Sequence, residues 1–500
     1  MLKGSKALFF VLTGVLFLLI LSTFLLCACS RDTELKDVKI SVGNNQFVIN
    51  DSSNLYFNSL SIEKPITFTT KQNGYELSVE YFENENSQGE KLSNNTITLD
   101  EIKRGAYFDL SISAGDKTIS ARLNLTKSDF PILDVTGQGS INGDYLFAAY
   151  SCESEEGSKK FPSYMLKVSP EGKIKYFRWE ADYVLDFQKV ITTDNQIRYL
   201  YFLADQDKFN ETDYGLNAQL VFSKVVVMDE NYNFIKDIYY KKANYAEFPI
   251  EMHDLVYFND NHYIVASNEA RLISQIPDYM EGDKSQPMKA VACLIQEVQD
   301  DNIVWEFDST DYADFYQCYS KDMSLWRFSD QSIYKGYVDY MHINSMSIDP
   351  NDQNLIISFR NISSVVKINR TTGERMWVLG GEIDEFNLTD KFGLQHNAVS
   401  YTDGVITLFD NTKGETNYSR VMELKLDEQN KTVQVINTVD LGILCTACGS
   451  AEKVGNNYLV CFGVNTRNLA KIEEINPQTG KASLTIIVSN SKMLYNVNWG

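Results

Sequence analysis

The segment His342-Ile-Asn-Ser-Met-Ser-Ile-Asp349 runs from a histidine, through a short strand-like stretch, to an aspartate that begins a polar turn. The same layout returns in His396-Asn-Ala-Val-Ser-Tyr-Thr-Asp403 and in His253-Asp-Leu-Val-Tyr-Phe-Asn-Asp260. The chain has four histidines, so three of them hold one position in a repeated unit. Because self-similarity at a fixed spacing is typical of repeat architectures, the whole chain has to be searched for further copies.

Two hairpin types alternate after about residue 126. The first has an apolar strand, a polar turn and a second apolar strand, as in 165–174 and 365–377. The second has turns such as Asp194-Asn195 and Asp403-Gly404. Each type occurs six times, so four strands recur six times. Radial packing buries both faces of such four-stranded sheets. We therefore predict a six-bladed β-propeller over residues 126–500, with two stacked β-sandwiches as the alternative.

An all-β fold is also favoured by the composition, with 29 Tyr and 28 Phe, and by the scarcity of amphipathic helical patterns after residue 30. Residues 38–125 contain short alternating runs joined by turns, for example 75–81 after Asn73-Gly74. Such hairpins over nearly ninety residues predict a small N-terminal β-sandwich domain. The expected organisation is therefore all-β, with this domain preceding the propeller.

The N-terminus predicts export. Lys3 and Lys6 precede an apolar run from residue 7 to 26, and Leu26-Cys27-Ala28-Cys29 follows. These features are typical of a signal peptide, here residues 1–28, and the ending resembles a lipobox. Cys29 would then be lipidated and begin a tether of residues 29–37 that anchors the protein to the cell membrane. A retained transmembrane anchor is the alternative. Either way the remaining chain faces outside the cytoplasm.

The net charge and the cysteine spacing argue against three kinds of function: nucleic-acid binding, thiol redox chemistry and zinc binding. The net charge of −21 argues against nucleic acid as a partner, since phosphates require clustered Lys and Arg. Six cysteines follow Cys29, and two of them form a lone Cys445-Thr-Ala-Cys448 motif. That motif has neither a βαβ context for redox chemistry nor a second pair for zinc. Structural thiols or a local disulfide are expected there.

The three histidines in register predict a site at one mouth of the propeller. Asn344 lies two residues after His342 and so on the same face of its strand, and Arg360 ends the returning strand. Imidazoles could bind a metal, or one neutral imidazole could act as nucleophile towards an anion held by the guanidinium. No carboxylate occupies the matching positions, and Arg360 would repel a cation, which weakens the metal hypothesis. Hydrogen-bonded histidines without chemistry are the third interpretation.

Several motifs in this region resemble bacterial PAPS-independent aryl-sulfate sulfotransferases (arylsulfotransferases). The resemblance runs from Met252 to about Gly463 and is weaker over the first two blades. It is carried by His342-Ile-Asn344, Ser358-Phe-Arg360, Trp377-Val-Leu-Gly380-Gly381, Gln395-His396-Asn-Ala, Leu408-Phe-Asp-Asn411 and Tyr418-Ser-Arg420. It implies an N-terminal β-domain, a six-bladed propeller, and transfer of a sulfuryl group between phenols through a sulfated histidine.

Carried over by motif, the resemblance implies His396 as the nucleophile. His253, His342, Asn344 and Arg360 would hold the sulfate oxygens, with phenolic sulfates as donors, phenols as acceptors, and no cofactor or metal. The family also has a threonine in the following blade. The turn alignment puts Gly449 at that place, with Cys448, Ser450 and Thr446 nearby, so a contribution from this blade stays open.

Other assignments remain as alternatives. A non-catalytic cell-surface propeller would bind glycan or protein partners through outer loops such as 206–218 or 309–335. A metallohydrolase or oxidase is a third possibility. By analogy with the family, the N-terminal domain is a candidate for homodimer contacts. His262 is expected to be a solvated loop residue outside the site.

Overall fold

Strands account for nearly all of the regular structure in the computed structural model of this chain, which confirms the all-β prediction. The chain divides into two compact units, Met1–Ser128 and Asp129–Gly500. The predicted signal peptide and Cys29 lie outside the described residues, and so do residues 206–218 and 318–335. The structure describes residues 35–43, 45–51, 53–58, 65–84, 87–99, 103, 105–127, 129–151, 162–205, 222–274, 285–317, 338–411 and 418–500.

The N-terminal unit is built from two sheets, with strand orders β2-β1-β4-β7 and β3-β9-β8-β5-β6. Neighbouring strands are antiparallel except for the parallel pair β3 and β9. The strands are β1 (Val38–Val42), β2 (Asn45–Ile49), β3 (Ser53–Asn58), β4 (Ile66–Thr70), β5 (Glu76–Phe82), β6 (Glu90–Lys91), β7 (Thr96–Ile97), β8 (Tyr107–Ala114) and β9 (Lys117–Thr126).

Alternation along these strands explains the core of the unit. In β1 every second residue is buried, beginning with Val38, and in β9 the buried series includes Ala121 and Leu123. Successive side chains of a strand point to opposite faces, so each sheet has one apolar face. Residues from both sheets join in one buried cluster, which includes Ile40 and Phe108. Both sheets therefore contribute to a single hydrophobic core.

The first strands of the C-terminal unit run to residue 273. They are β10 (Leu133–Gly137), β11 (Tyr145–Tyr150), β12 (Ser163–Val168), β13 (Ile174–Glu180), β14 (Tyr183–Ile191), β15 (Ile197–Asp205), β16 (Phe222–Met228), β17 (Phe234–Ile238), β18 (Tyr240–Lys242), β19 (Tyr245–Phe248), β20 (Val256–Asn259) and β21 (His262–Ile273).

The remaining strands continue to the end of the chain. They are β22 (Met288–Gln299), β23 (Asn302–Asp308), β24 (Val338–Asp339), β25 (Ile343–Ile348), β26 (Leu355–Phe359), β27 (Ser364–Ile368), β28 (Arg375–Gly380), β29 (His396–Tyr401), β30 (Val405–Asp410), β31 (Arg420–Asp427), β32 (Thr432–Asp440), β33 (Cys445–Ala447), β34 (Ser450–Val454), β35 (Asn457–Cys461), β36 (Val464–Asn465), β37 (Lys471–Ile475), β38 (Ala482–Val488) and β39 (Asn498–Trp499).

These strands form successive sheets whose neighbouring strands are antiparallel, except for the parallel pair β22 and β24. Four of the sheets take their strands consecutively from the chain, with the orders β14-β15-β16-β17, β20-β21-β22-β23, β25-β26-β27-β28 and β29-β30-β31-β32. Two further sheets, β13-β12-β11-β39 and β10-β38-β37-β35-β34, combine strands from both ends of the unit. The antiparallel pairing of β10 with β38 and of β11 with β39 therefore joins the beginning of the unit to its end.

Burial within a sheet follows the position of each strand. In the third and fourth of the consecutive sheets, the middle strands β26, β27 and β30 are almost entirely buried, whereas the last strand β32 alternates between exposed and half-buried residues. A strand that is covered on both faces has a continuous run of apolar residues. A strand with one solvent-exposed face alternates between apolar and polar residues.

Polar side chains link the first strands of neighbouring sheets. The backbone N–H of Met346 in β25 donates to the Asp254 carboxylate at 2.7 Å, and that of Ala398 in β29 donates to Ser345 Oγ at 2.8 Å. The N–H of Ala451 in β34 likewise donates to Asn397 Oδ1 at 2.8 Å. These N–H groups lie on strand edges without a neighbouring strand, where an unpaired donor would be costly.

Helical structure is sparse and short. The described residues contain one short α-helix, α1 (Ala313–Gln317), and 3-10 turns at Ser93–Asn95, Ser309–Asp311 and Thr402–Gly404. Among these residues, no helix has the length and apolar character needed to cross a membrane.

Lys367 connects two neighbouring sheets from a buried position. Its ammonium group contacts Asp349 at 2.7 Å and Asp352 at 2.8 Å in the β25–β26 turn, and Glu428 at 2.6 Å in the β31–β32 turn. Burial opposes its charge, but these three carboxylates outweigh that effect and raise the pKa of Lys367 to about 12. The carboxylate of Asp349 is itself buried and pairs with this lysine.

Replacing Lys367 should destabilise the C-terminal unit. Lys367→Met leaves Asp349 buried without its cation, which costs about 3–5 kcal/mol. The control is Lys431→Met, because Lys431 pairs with Glu385 at 3.2 Å on the surface, where a pair contributes less than about 1 kcal/mol. Urea denaturation monitored by fluorescence should show a much larger loss for Lys367→Met. Equal, small losses in the two variants would contradict this role.

Candidate active site

The three histidines that share a sequence register lie at the starts of first strands. His253 precedes β20, His342 directly precedes β25, and His396 is the first residue of β29. His342 has a φ of 57°, a left-handed conformation that turns the chain just before the strand. The rings of His253 and His342 are in edge-to-face contact, with centroids 5.1 Å apart. All three side chains are largely removed from solvent.

The Nδ1 atoms of the histidines have different partners. His253 Nδ1 contacts the Glu251 carboxylate, and His342 Nδ1 lies 2.6 Å from Asp339 Oδ2. His396 Nδ1 instead lies 2.7 Å from the amide oxygen Oδ1 of Asn411. The carboxylates were missed by the sequence analysis because they precede the histidines by two or three residues instead of occupying the matching strand positions. Two of the imidazoles therefore have anionic partners, and one has a neutral partner.

His396 is held in its neutral form. Burial is the main cause that lowers the pKa of His396 well below its ordinary value of 6.5, and the positive charge of Arg360 acts in the same direction. The backbone N–H of Cys448 donates to His396 Nε2 at 3.2 Å, so Nε2 is the ring nitrogen with the lone pair. An unprotonated Nε2 is a competent nucleophile.

Arg360 lies beside His342 and is 2% exposed. Its backbone N–H donates to the His342 carbonyl at 3.0 Å, and its guanidinium donates to Asn361 Oδ1 at 2.9 Å and to the Thr446 carbonyl at 3.2 Å. Burial lowers the pKa of Arg360 to about 10, although the charge of Asp339 opposes the shift. The residue therefore remains a cation at neutral pH, in a place where little water screens it.

Asn344 is buried in the same region. Its Nδ2 donates to the Gln395 carbonyl at 2.6 Å, which leaves one amide hydrogen available for a ligand. Its Oδ1 is buried and has no hydrogen-bond partner among the described residues. A buried unsatisfied acceptor costs free energy unless a ligand or water meets it, so Asn344 faces a place that can hold a polar group.

The turn after β32, here residues 445–450 with the short strand β33 included, contributes main-chain groups to the site. The Thr446 hydroxyl donates to the Val464 carbonyl at 3.4 Å. The backbone carbonyl of Thr446 accepts a hydrogen bond from the Arg360 guanidinium. Ser450 Oγ accepts the Val497 N–H at 3.3 Å. The Cys448 N–H points at His396. This part of the chain therefore meets the site through its backbone and not through a hydroxyl.

The cysteines of this turn are inert thiols. The described cysteines, Cys293, Cys445, Cys448 and Cys461, are free, whereas Cys152 and Cys318 lie outside the described residues. Burial raises the pKa of both Cys445 and Cys448 to about 12, so neither forms a thiolate near neutral pH. A structural role agrees with the expectation for the lone motif.

A polar cavity of about 190 Å³ adjoins His253. His253 and Asn344 line it together with three acidic residues, Asp186, Asp254 and Glu452. Burial raises the pKa of each acid, to about 7 for Glu452 and well above the usual range for Asp254. Asp186 lies in β14, Asp254 precedes β20 and Glu452 lies in β34, so no local sequence pattern identified these acids.

Within the described ranges, no group of three or more His, Cys, Asp or Glu side chains is arranged to hold a metal ion. The expectation for His262 was wrong, because this residue begins β21 and its Nε2 lies 2.6 Å from Glu297 Oε1. The β-strand register buries one side of His262 against that carboxylate, which the isolated turn pattern did not indicate.

Comparison with known proteins gives a family. Residues 188–496 match the family model of the arylsulfotransferases, abbreviated ASST, and this match spans more than half of the chain. No curated protein matches the sequence.

Three of the similar solved structures are only distantly related in sequence. A protein of unknown function from Bacteroides caccae is 9% identical with a TM-score of 0.40, and the match covers 71% of this chain and 98% of that one. The periplasmic gluconolactonase from Pseudomonas aeruginosa is 9% identical with a TM-score of 0.35, over 71% and 98%. Virginiamycin B lyase from Staphylococcus aureus is 10% identical with a TM-score of 0.29, over the same shares. These low scores support no conclusion. The family match alone is decisive: this chain belongs to the arylsulfotransferase family.

Proposed function

We propose that this protein transfers a sulfuryl group from a phenolic sulfate ester to a phenolic acceptor through a sulfated His396, without a nucleotide sulfate donor. The observation that carries the proposal is one neutral, buried imidazole next to a buried guanidinium. A neutral ring supplies the nucleophile, and a cation beside it binds an anionic substrate. The family match supports arylsulfotransferase activity in general.

The proposed architecture is a six-bladed β-propeller over residues 126–500, preceded by a β-sandwich over residues 38–125. Sheets built from consecutive strands support it, as does the pairing of β10 and β11 with strands from the end of the chain. In such a ring, the first strand of each blade borders the central axis. Residues at the starts of three such strands would then meet at one mouth of the channel.

In the first half-reaction, His396 Nε2 attacks the sulfur atom of the donor. The N–S bond forms while the bond between sulfur and the phenolic oxygen breaks, and the phenolate leaves with the electron pair. Arg360 and the remaining hydrogen of Asn344 Nδ2 would hold sulfate oxygens, and the Cys448 N–H would turn from Nε2 to an oxygen. Donors aimed at the oxygens that gain charge stabilise the transition state.

The second half-reaction reverses these steps with the acceptor. The acceptor phenol loses its proton, its oxygen attacks sulfur, and the N–S bond returns its electron pair to Nε2. His253 and His342 would exchange the proton, because the carboxyl group at each Nδ1 orients the ring. The transfer consumes no net proton, since the one lost by the acceptor replaces the one taken by the leaving phenolate.

We also propose that the protein is exported and attached to the membrane through Cys29. The support is the pattern of Lys3 and Lys6, the apolar run and the lipobox-like ending. Metabolic labelling with a fatty-acid analogue tests this, and a Cys29→Ala variant that incorporates as much label as the wild type would refute it.

Removing the nucleophile should abolish turnover. His396→Ala should lower phenol release from a chromogenic aryl sulfate by at least about 10³-fold, and the mass adduct of one sulfuryl group should disappear. The matched control is His262→Ala, a histidine outside the site. Phenol release undiminished in His396→Ala would refute the proposed nucleophile. Full activity of the wild type without any adduct would refute the covalent intermediate.

Arg360 should be needed for rate and not for folding. Arg360→Lys keeps the charge but loses the two-pronged geometry, so kcat/KM should fall by roughly 10²–10³, which corresponds to about 2–4 kcal/mol. The thermal melting temperature should stay near that of the wild type, since lysine still supplies a cation. A variant of near-normal rate, or one whose melting temperature falls together with its rate, would show that Arg360 is structural.

Activity should persist below the pH at which a free imidazole protonates. His396 must be unprotonated to attack, and its lowered pKa places the loss of rate on acidification below pH 6.5. Removing the nearby charge in Arg360→Met should move this fall to higher pH, whereas Arg360→Lys should leave it in place. A pH–rate profile of kcat/KM measures the effect. A fall above pH 6.5 in the wild type would contradict the assignment.

A further inference from the structure

Asn411 connects the proposed nucleophile to the turn after β32. It follows β30 directly and is fully buried. Its Oδ1 lies 2.7 Å from His396 Nδ1, while its Nδ2 donates to the carbonyls of Cys445 at 3.0 Å and Cys448 at 2.9 Å. Every polar atom of this side chain therefore has a partner in the site.

These contacts leave one orientation for the amide. Two carbonyl oxygens surround one end of the side chain, and only an NH₂ group can donate to both. The oxygen must then face His396 Nδ1, and because an amide oxygen only accepts, that ring nitrogen must carry the hydrogen. The lone pair of the neutral ring is left on Nε2. The Cys448 N–H, which donates to Nε2, requires the same tautomer.

The turn that Asn411 grips is also tied to the other groups of the site. Its residue Thr446 accepts Arg360 through the carbonyl, and Cys448 has a φ of 58°, which directs its N–H toward the ring. Ser419 holds the opposite side of the turn, where its Oγ accepts the Cys445 N–H at 2.8 Å and donates to the Asn411 carbonyl at 2.6 Å. Ser419 makes these contacts without touching the imidazole.

We propose that Asn411 is a positioning residue for sulfuryl transfer, which sets Nε2 of His396 as the attacking nitrogen and holds the Cys448 N–H beside it. This inference rests on the proposed function of His396. Asn411 does not meet the substrate and acts through the ring and the turn.

The consequence of losing Asn411 follows from burial. Without Oδ1, the Nδ1–H of His396 is buried with no acceptor, so the alternative tautomer with hydrogen on Nε2 is no longer disfavoured. That tautomer has no lone pair towards the substrate and points its N–H at the Cys448 N–H. In Asn411→Ala, kcat should fall by about 10² or more, whereas KM should change little.

The experiment reads the tautomer directly. Nitrogen-15 labelling of histidine side chains gives signals from four rings, and His396→Ala identifies the signals of His396. Two-bond proton–nitrogen spectra of the wild type, Asn411→Ala and the control Ser419→Ala distinguish protonated from unprotonated ring nitrogens. Steady-state kinetics with an aryl sulfate and a phenol, and thermal melts, accompany the spectra.

The expected result is an Nδ1–H ring in the wild type and in Ser419→Ala, and a mixed or Nε2–H ring with low kcat in Asn411→Ala. An Nε2–H ring in the wild type overturns the proposal, even where Asn411→Ala fails to fold. So does an Asn411→Ala protein with an unchanged tautomer and kcat within about twofold of the wild type. A wild type that releases no phenol refutes sulfotransfer instead, because the tautomer spectrum does not depend on turnover.

Discussion

The site depends on how the exposed edges of the first strands are satisfied. Each of these strands pairs with a neighbour on one side only, and its remaining N–H groups would be buried without partners. Preceding side chains accept hydrogen bonds from these N–H groups. The acceptors are Asp254 for the N–H of Met346, Ser345 for that of Ala398, and Asn397 for that of Ala451. These bonds set the spacing between neighbouring sheets. Consequently the residues at the strand starts are held at fixed distances from one another.

Three imidazoles in one place have different chemistry because their partners differ. The carboxyl groups of Glu251 and Asp339 contact Nδ1 of His253 and His342, whereas the partner of His396 is the neutral amide of Asn411. A carboxylate can compensate for a proton gained by the ring, and an amide cannot. The same residue type therefore meets a carboxylate in two positions and a neutral amide in the third.

Burying the charge of Arg360 costs free energy, and hydrogen bonds to neighbouring groups offset part of that cost. Arg360 is almost fully buried, and the Asn361 side chain and the Thr446 carbonyl accept its hydrogen bonds. Burial lowers the pKa of His396 and the charge of Arg360 acts in the same direction, so both favour the unprotonated ring. Burial also raises the pKa of acids in the adjoining cavity, to about 7 for Glu452. Little water reaches these groups to stabilise the charged form, which is also why burying Arg360 costs free energy.

The sequence alone determined the all-β class and the register of His253, His342 and His396, because local turns and apolar runs define the period of the repeat. It also brought Arg360 next to His342, since a hairpin returns its second strand to the start of the first. Only the tertiary structure decided which group meets each ring. The Asn411 amide, the Cys448 N–H and the cavity acids lie on other turns and sheets, and contacts between sheets depend on packing that periodicity does not encode. The protonation state of His396 was likewise decided by folding, because burial and the nearby charge of Arg360, which is remote in sequence, set its pKa.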